Sequence, residues 1–203
     1  QLELGEHYNG LEEEQCAFWY GKAARQGNAE GEYWLGVLYD NGYGVEQDYS
    51  KAYEWISQAA TAGHATAQYT LGIYYANGTA VEQNPSKAFD WYLLAANQGQ
   101  PDAENRLGNC YSNGDGVERN VTEAVNWYLK AIADGSKDAK NNLALCYIEE
   151  TGDEACIAEG FHLMEEAAEE GDGMAQFNLG WYYENGLAAA GVSPDLPRAR
   201  EYY

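Results

Sequence analysis

Leu35-Gly36, Leu71-Gly72, Leu107-Gly108 and Leu179-Gly180 share one register, with Leu143-Ala144 filling the remaining step, so the chain repeats every 36 residues. The second half of each period keeps the same step: Trp19, Trp55, Trp91 and Trp127 are followed by Leu163, and Gly27, Gly63, Gly99, Gly135 and Gly171 close each period. A fixed period across nearly all of a 203-residue chain constrains the fold more than any other feature. Each unit must bury its apolar face on copies of itself, so function belongs to the array.

One period, residues 65–100, reads as helix, glycine loop, helix. Ala67, Leu71 and Tyr75 recur at i, i+4 and i+8, while Ala88, Trp91, Tyr92, Ala95 and Ala96 form a second helical stripe. Helices of about 12 to 15 residues are marginal alone in water, which again requires stacking. The expected organisation is one domain over residues 1–203: a shortened unit at 1–28, regular units at 29–64, 65–100 and 101–136, a divergent one at 137–172 and an incomplete one at 173–203. In the first unit the second helix is expected over about Leu11 to Gln26, with only a stub of a first helix at Leu4 to Tyr8. The regular inter-helix loops NGYGVEQD, NGTAVEQN and NGDGVERN end on Asp48, Asn84 and Asn120, which suit helix N-caps. The fourth unit substitutes EETGDEAC, and the fifth lengthens its loop around Leu187 to Ala190 before Asp195 restores the cap.

Thirty-three acidic against 11 basic residues give a formal net charge of −22, which argues against nucleic acid or anionic lipid and leaves a basic partner open. No apolar run reaches the 18 or so residues of a membrane span, so no membrane insertion is expected. The chain begins at Gln1 without a basic, apolar leader and stops within a helical pattern at Arg200 to Tyr203, which suggests a removed signal segment or an excised fragment. Four cysteines in a chain of this size do not make a disulfide scaffold. Cys110 and Cys146 share a register and read as buried thiols, Cys16 stands at a small-residue core site, and a bridge between Cys146 and Cys156 across the odd fourth loop is the open alternative. His7, His64 and His162 lack metal-ligand spacing, and His162 with Glu166 reads as a surface pair. Asn77-Gly78-Thr79 and Asn120-Val121-Thr122 fit a glycosylation triplet that chance also produces. No nucleophile elbow, phosphate loop or ligand cluster is present, so neither an enzymatic activity nor a cofactor is expected.

The pattern A-x-x-x-L-G-x-x-Y-x-x-G-x-G-V-x-x-D/N-x-x-K-A-x-x-W-x-x-x-A-A-x-x-G resembles the Sel-one-like repeat, a longer-looped relative of the tetratricopeptide repeat. The resemblance covers about residues 4 to 203. It implies an all-α fold, a right-handed α/α superhelical solenoid of stacked helix pairs, acting as a non-enzymatic adaptor or scaffold. Relatives of this kind serve as degradation adaptors, as secreted or periplasmic bacterial proteins and as immunity proteins. A secreted or periplasmic setting is therefore favoured over a cytoplasmic one, although the residues themselves fix no compartment.

In the related tetratricopeptide repeat the ligand groove is lined by set positions of each first helix. Carried over, the position two before the repeat leucine gives Tyr33, Tyr69, Asn105, Asn141 and Phe177. Two after it come Val37, Ile73, Asn109, Leu145 and Trp181. Five and six after it come Asp40, Ala76, Ser112, Ile148 and Glu184, then Asn41, Asn77, Asn113, Glu149 and Asn185. The first two columns are the candidate partner-binding residues, with Asn105 and Asn109 as a polar middle suited to a peptide backbone. The alternative for the aromatic ones is packing between neighbouring units, and the asparagines at 41, 77, 113 and 185 read first as helix ends at Asn-Gly turns. The expected function is a protein-protein interaction scaffold or adaptor holding a protein or peptide segment in this groove, a basic segment included. The alternatives are an immunity protein that covers a folded effector enzyme and the repeat arm of a larger enzyme or receptor.

Overall fold

The computed structural model describes residues 10–203, so the expected stub at Leu4 to Tyr8 and His7 lie outside the described residues. The described residues hold eleven α-helices and no strand longer than an isolated Leu187–Val192 bridge. They fall into two compact units, one ending at Gln98 and the other beginning at Gly99.

The N-terminal unit contains α1 (Gly10–Ala24), α2 (Ala29–Asn41), α3 (Tyr49–Thr61), α4 (Ala65–Asn77) and α5 (Pro85–Ala96). Sequence chemistry sets their ends. Asn28, Asp48 and Asn84 accept backbone N–H groups of the following turn, and Pro85 occupies the first helical position of α5, where a missing N–H costs nothing. Gly78 stops α4 in the left-handed region at φ 75°, where its N–H reaches Tyr74 O. The core is an interleaved set of small and aliphatic side chains, with Ala52, Ile56, Ala59, Ala67 and Leu71 essentially dry. Tyr33, Tyr39, Tyr53 and Trp91 pack around it with part of each ring still reaching solvent.

The C-terminal unit contains α6 (Pro101–Asn113), α7 (Val121–Ala133), α8 (Ala139–Glu150), α9 (Glu154–Glu169), α10 (Gly173–Asn185) and α11 (Leu196–Tyr202). Asn120, Asp153, Asp172 and Asp195 supply its N-caps. The lengthened loop of the last repeat forms a short 3-10 turn over Ala188–Ala190. Its core runs from Ala124, Tyr128 and Leu143 to Met164, Leu179 and Ala199.

One register explains why the repeat leucine is followed by glycine. A β-carbon at Gly72 would lie 2.5 Å from the Tyr92 ring, and one at Gly108 would lie 2.4 Å from the Tyr128 ring. The fourth repeat reverses the arrangement: Ala144 stands opposite a methionine register, Met164, and the close approach passes to Gly160, where a β-carbon would lie 2.7 Å from Ala144 O. A second register joins each of the three regular loops to its own first helix. Gln47 donates to Asp40 O at 2.7 Å, Gln83 to Ala76 O at 2.8 Å, and Arg119 Nε to Ser112 O at 2.8 Å.

All four cysteines are free thiols, so the Cys146–Cys156 bridge is not made; Cys110 and Cys146 are buried as their register implies, and Cys16 is half-buried. His162 is a surface residue beside Glu165 and Glu166.

Candidate functional site

The ten candidate residues divide between the two units. In the N-terminal unit, Tyr33 and Val37 lie on α2 and Tyr69 and Ile73 on α4, all half-buried. Tyr33 stacks on His64 with ring centroids 4.9 Å apart, and its hydroxyl meets Thr70. Burial pushes its phenol above the ordinary range, with Thr70 opposing. His64 Nδ1 accepts the Ala67 N–H, so the ring Nε2 donates to Glu30 at 2.9 Å and holds that carboxyl below its usual range. Tyr33 thus spends one ring face on packing, whereas the Tyr69 ring lies 6.0 Å from that of Tyr92 at a tilted angle. Below this face the Tyr74 hydroxyl donates to Asp40, tying α4 to α2.

In the C-terminal unit, α6 carries Asn105 and Asn109, α8 carries Asn141 and Leu145, and α10 carries Phe177 and Trp181. Asn105 and Asn141 are buried. Asn142 donates its amide to Asn105 Oδ1 at 2.9 Å, and Asn178 donates to Asn141 Oδ1 at 3.0 Å. Of the expected polar middle, Asn105 is thus turned inward while Asn109 keeps part of its surface: a buried amide takes an internal partner, and the next first helix supplies it. Phe177 and Trp181 are 56% and 50% exposed on one face of α10, with Phe177 5.9 Å from the Tyr203 ring.

Asn109 and Leu145 are brought together. They line a cavity of about 170 Å³ shared with Ser112, Tyr128, Asn142 and Glu149. The Tyr128 hydroxyl donates to Asn109 Oδ1 at 2.7 Å. Burial raises the Tyr128 phenol, so that donor stays protonated across the physiological range. Cys146, also in the wall, is raised by burial and is an inert thiol. At the rim Arg119 pairs with Glu150, while Glu149 holds the Tyr182 hydroxyl. Tyr128 and Asn142 were not among the residues carried over. Tyr128 was traceable from Gly108, whose missing side chain calls for a large residue opposite on the second helix; Asn142 had no local signal.

Among the described residues no group of histidine, cysteine and carboxylate side chains is placed to hold a metal ion, and no helix is long and apolar enough to cross a membrane. What the geometry offers is surface: half-buried apolar and amide side chains on first helices.

The Sel1 repeat pattern matches residues 1–28, 29–64, 65–100, 101–136, 137–172 and 173–203. A Sel1 repeat protein from Oxalobacter formigenes is 29% identical, with a TM-score of 0.77 over 93% of this chain and 76% of that one. A protective antigen present in uropathogenic Escherichia coli strains, displaying an SLR fold, is 34% identical with a TM-score of 0.75; the match takes in 91% of this chain but spans only 39% of the antigen. An immunity protein from Pseudomonas aeruginosa shares the fold at 20% identity, with a TM-score of 0.61 over 100% of this chain and 75% of that one. No curated protein matches the chain. With all six periods matched and the helix-pair architecture shared, the chain belongs to the Sel1 repeat family.

Proposed function

We propose that the chain is a non-enzymatic binding module that holds an extended protein segment, preferably a basic one, on the faces built by its first helices. The observation that carries this is the contrast within those helices. The repeat leucines and the glycine or alanine that follows them, from Leu35-Gly36 to Leu179-Gly180, are buried in the stack, whereas Val37, Tyr69, Ile73, Asn109, Leu145, Phe177 and Trp181, in the adjoining registers, keep part or most of their surface in solvent. Such side chains serve as anchors for a partner, and aromatic ones dominate binding energy where they are desolvated. A formal charge of −22 speeds encounter with a positive segment. Replacing Tyr69 and Ile73 together by alanine should weaken capture of the partner at least about tenfold, about 1.4 kcal/mol, with unchanged helical circular dichroism. Equal capture by the variant would overturn the assignment of this face. The association rate should also fall as salt is raised.

A second reading is that a folded effector enzyme, rather than an extended segment, covers the surface, as for an immunity protein. The broad exposed pair Phe177 and Trp181 favours it, because a flat aromatic patch suits a folded surface. Binding that survives unfolding and proteolysis of the partner would exclude this reading.

A further inference from the structure

We propose that the cavity between α6, α7 and α8 is a subsite for one arginine side chain of the bound segment, an inference that rests on the segment-binding reading and gives it a chemical preference. At about 170 Å³ the cavity is well below the roughly 300 Å³ at which small-molecule sites begin. It has room for a side chain and little else.

Its polar groups are fixed in advance. Tyr128 occupies Asn109 Oδ1, and the Asn109 amide Nδ2 makes no hydrogen bond among the described residues. Asn142 gives its Nδ2 to Asn105, which leaves Asn142 Oδ1 as an acceptor in the wall. Leu145 supplies apolar surface for an aliphatic stem, and Glu149 a carboxylate at the mouth. Glu150, the other carboxylate in the lining, is already paired with Arg119. The rim's uncompensated charge is therefore negative, and the side chain that suits it is a cation.

Arginine fits better than lysine, because a planar guanidinium offers N–H groups in several directions at once, to Glu149 and to Asn142 Oδ1, where an ammonium is a single point charge. Arg119 shows the same chemistry at this rim: its Nε donates to Ser112 O at 2.8 Å while the rest of the guanidinium meets Glu150. The free Asn109 Nδ2 is then available to a backbone carbonyl of the segment that carries the arginine.

The test is an NMR titration of the isotope-labelled 203-residue protein with N-acetylarginine methylamide and, in parallel, N-acetylnorleucine methylamide. The arginine probe should move the side-chain amide signals of Asn109 and Asn142 and the methyl signals of Leu145, and the norleucine probe should not. Glu149→Gln should cut the arginine shifts at least fivefold at equal probe concentration, while Glu169→Gln, an exposed control on α9, should leave them unchanged. Absence of the shifts, equal shifts with norleucine, or equal shifts in Glu149→Gln would each overturn the subsite. The Tyr69→Ala, Ile73→Ala variant should titrate like the parent. A protein that captures a segment but shows no arginine shifts loses this subsite alone; one that shows the shifts but captures nothing loses the segment-binding reading alone.

Discussion

Lys130 Nζ lies 2.9 Å from Glu104 Oε1, and Glu104 is 0% exposed. A carboxylate taken wholly out of water on α6 is answered by a lysine of α7 that stays half in solvent. The same register holds Gln68 and Gln176, whose amides donate to Ala60 O and Ala168 O, each at 3.1 Å. Burial raises the Glu104 carboxyl and the neighbouring Asp134 raises it further, against the opposing pull of Lys130. A raised folded-state value means that the group's contribution to stability is fully present below the ordinary glutamate value, about 4.3, and is lost as pH rises through the folded value. Glu104→Gln should therefore be at least as stable as the parent at pH 7, by about 1 kcal/mol, with the difference closing toward pH 4. Lys130→Ala, which leaves the Glu104 carboxylate buried without its partner, should lose about 1–3 kcal/mol at pH 7 and less in acid. Urea unfolding across that pH range measures both, and a pH-independent difference would contradict the buried-charge account.

Gly108→Ala should cost about 1–3 kcal/mol, because its β-carbon would sit 2.4 Å from a ring held in the core. Ala144→Gly, in the same register of the fourth repeat, removes a fully buried methyl from the core around Met164 and should cost about 1 kcal/mol of helix propensity plus about 0.8 kcal/mol for the lost burial. Denaturation midpoints measure both, and a loss for Gly108→Ala that persists undiminished when Tyr128 is also replaced by alanine would show that the glycine register is not set by the ring opposite.

Ala80 has φ 56°, a left-handed conformation, where the equivalent loop positions carry Gly44 at φ 65° and Gly116 at φ 76°. Alanine pays for that region through its β-carbon, so Ala80→Gly should stabilise the protein by about 0.5–1 kcal/mol despite the added freedom of the unfolded chain. A lowered midpoint would show that the strain is relieved elsewhere.

Thiol labelling should find four reactive cysteines after unfolding, with or without reductant. In the native protein the half-buried Cys16 and Cys156 should label first, and Cys110, whose thiol burial pushes up to about 12, should resist. Two thiols recovered only after reduction would restore the bridge that the structure lacks.

The helices, their order and most of their ends were legible because they follow from local chemistry. Asp48, Asn84 and Asn120 cap where they stand, and Asn41, Asn77, Asn113 and Asn185 end their helices. The candidate site was legible only by register. Val37, Ile73 and Leu145 keep part of their surface in solvent, but Asn105 and Asn141 turned inward. An amide on a helix gives no local sign of which way it is satisfied, since that depends on a residue 37 positions later.

The sequence by itself determined the repeat: a 36-residue period of small, aromatic and glycine positions can satisfy its apolar stripes only by stacking helix pairs. Only the tertiary structure decided which polar side chains the stacking consumes. Asn142 closes on Asn105 and Tyr128 on Asn109 because neighbouring helices place them within hydrogen-bond reach, and buried polar groups must find such partners. The Asn109 amide and the Asn142 oxygen are what that consumption leaves over, and the remainder arises between helices rather than within any one of them.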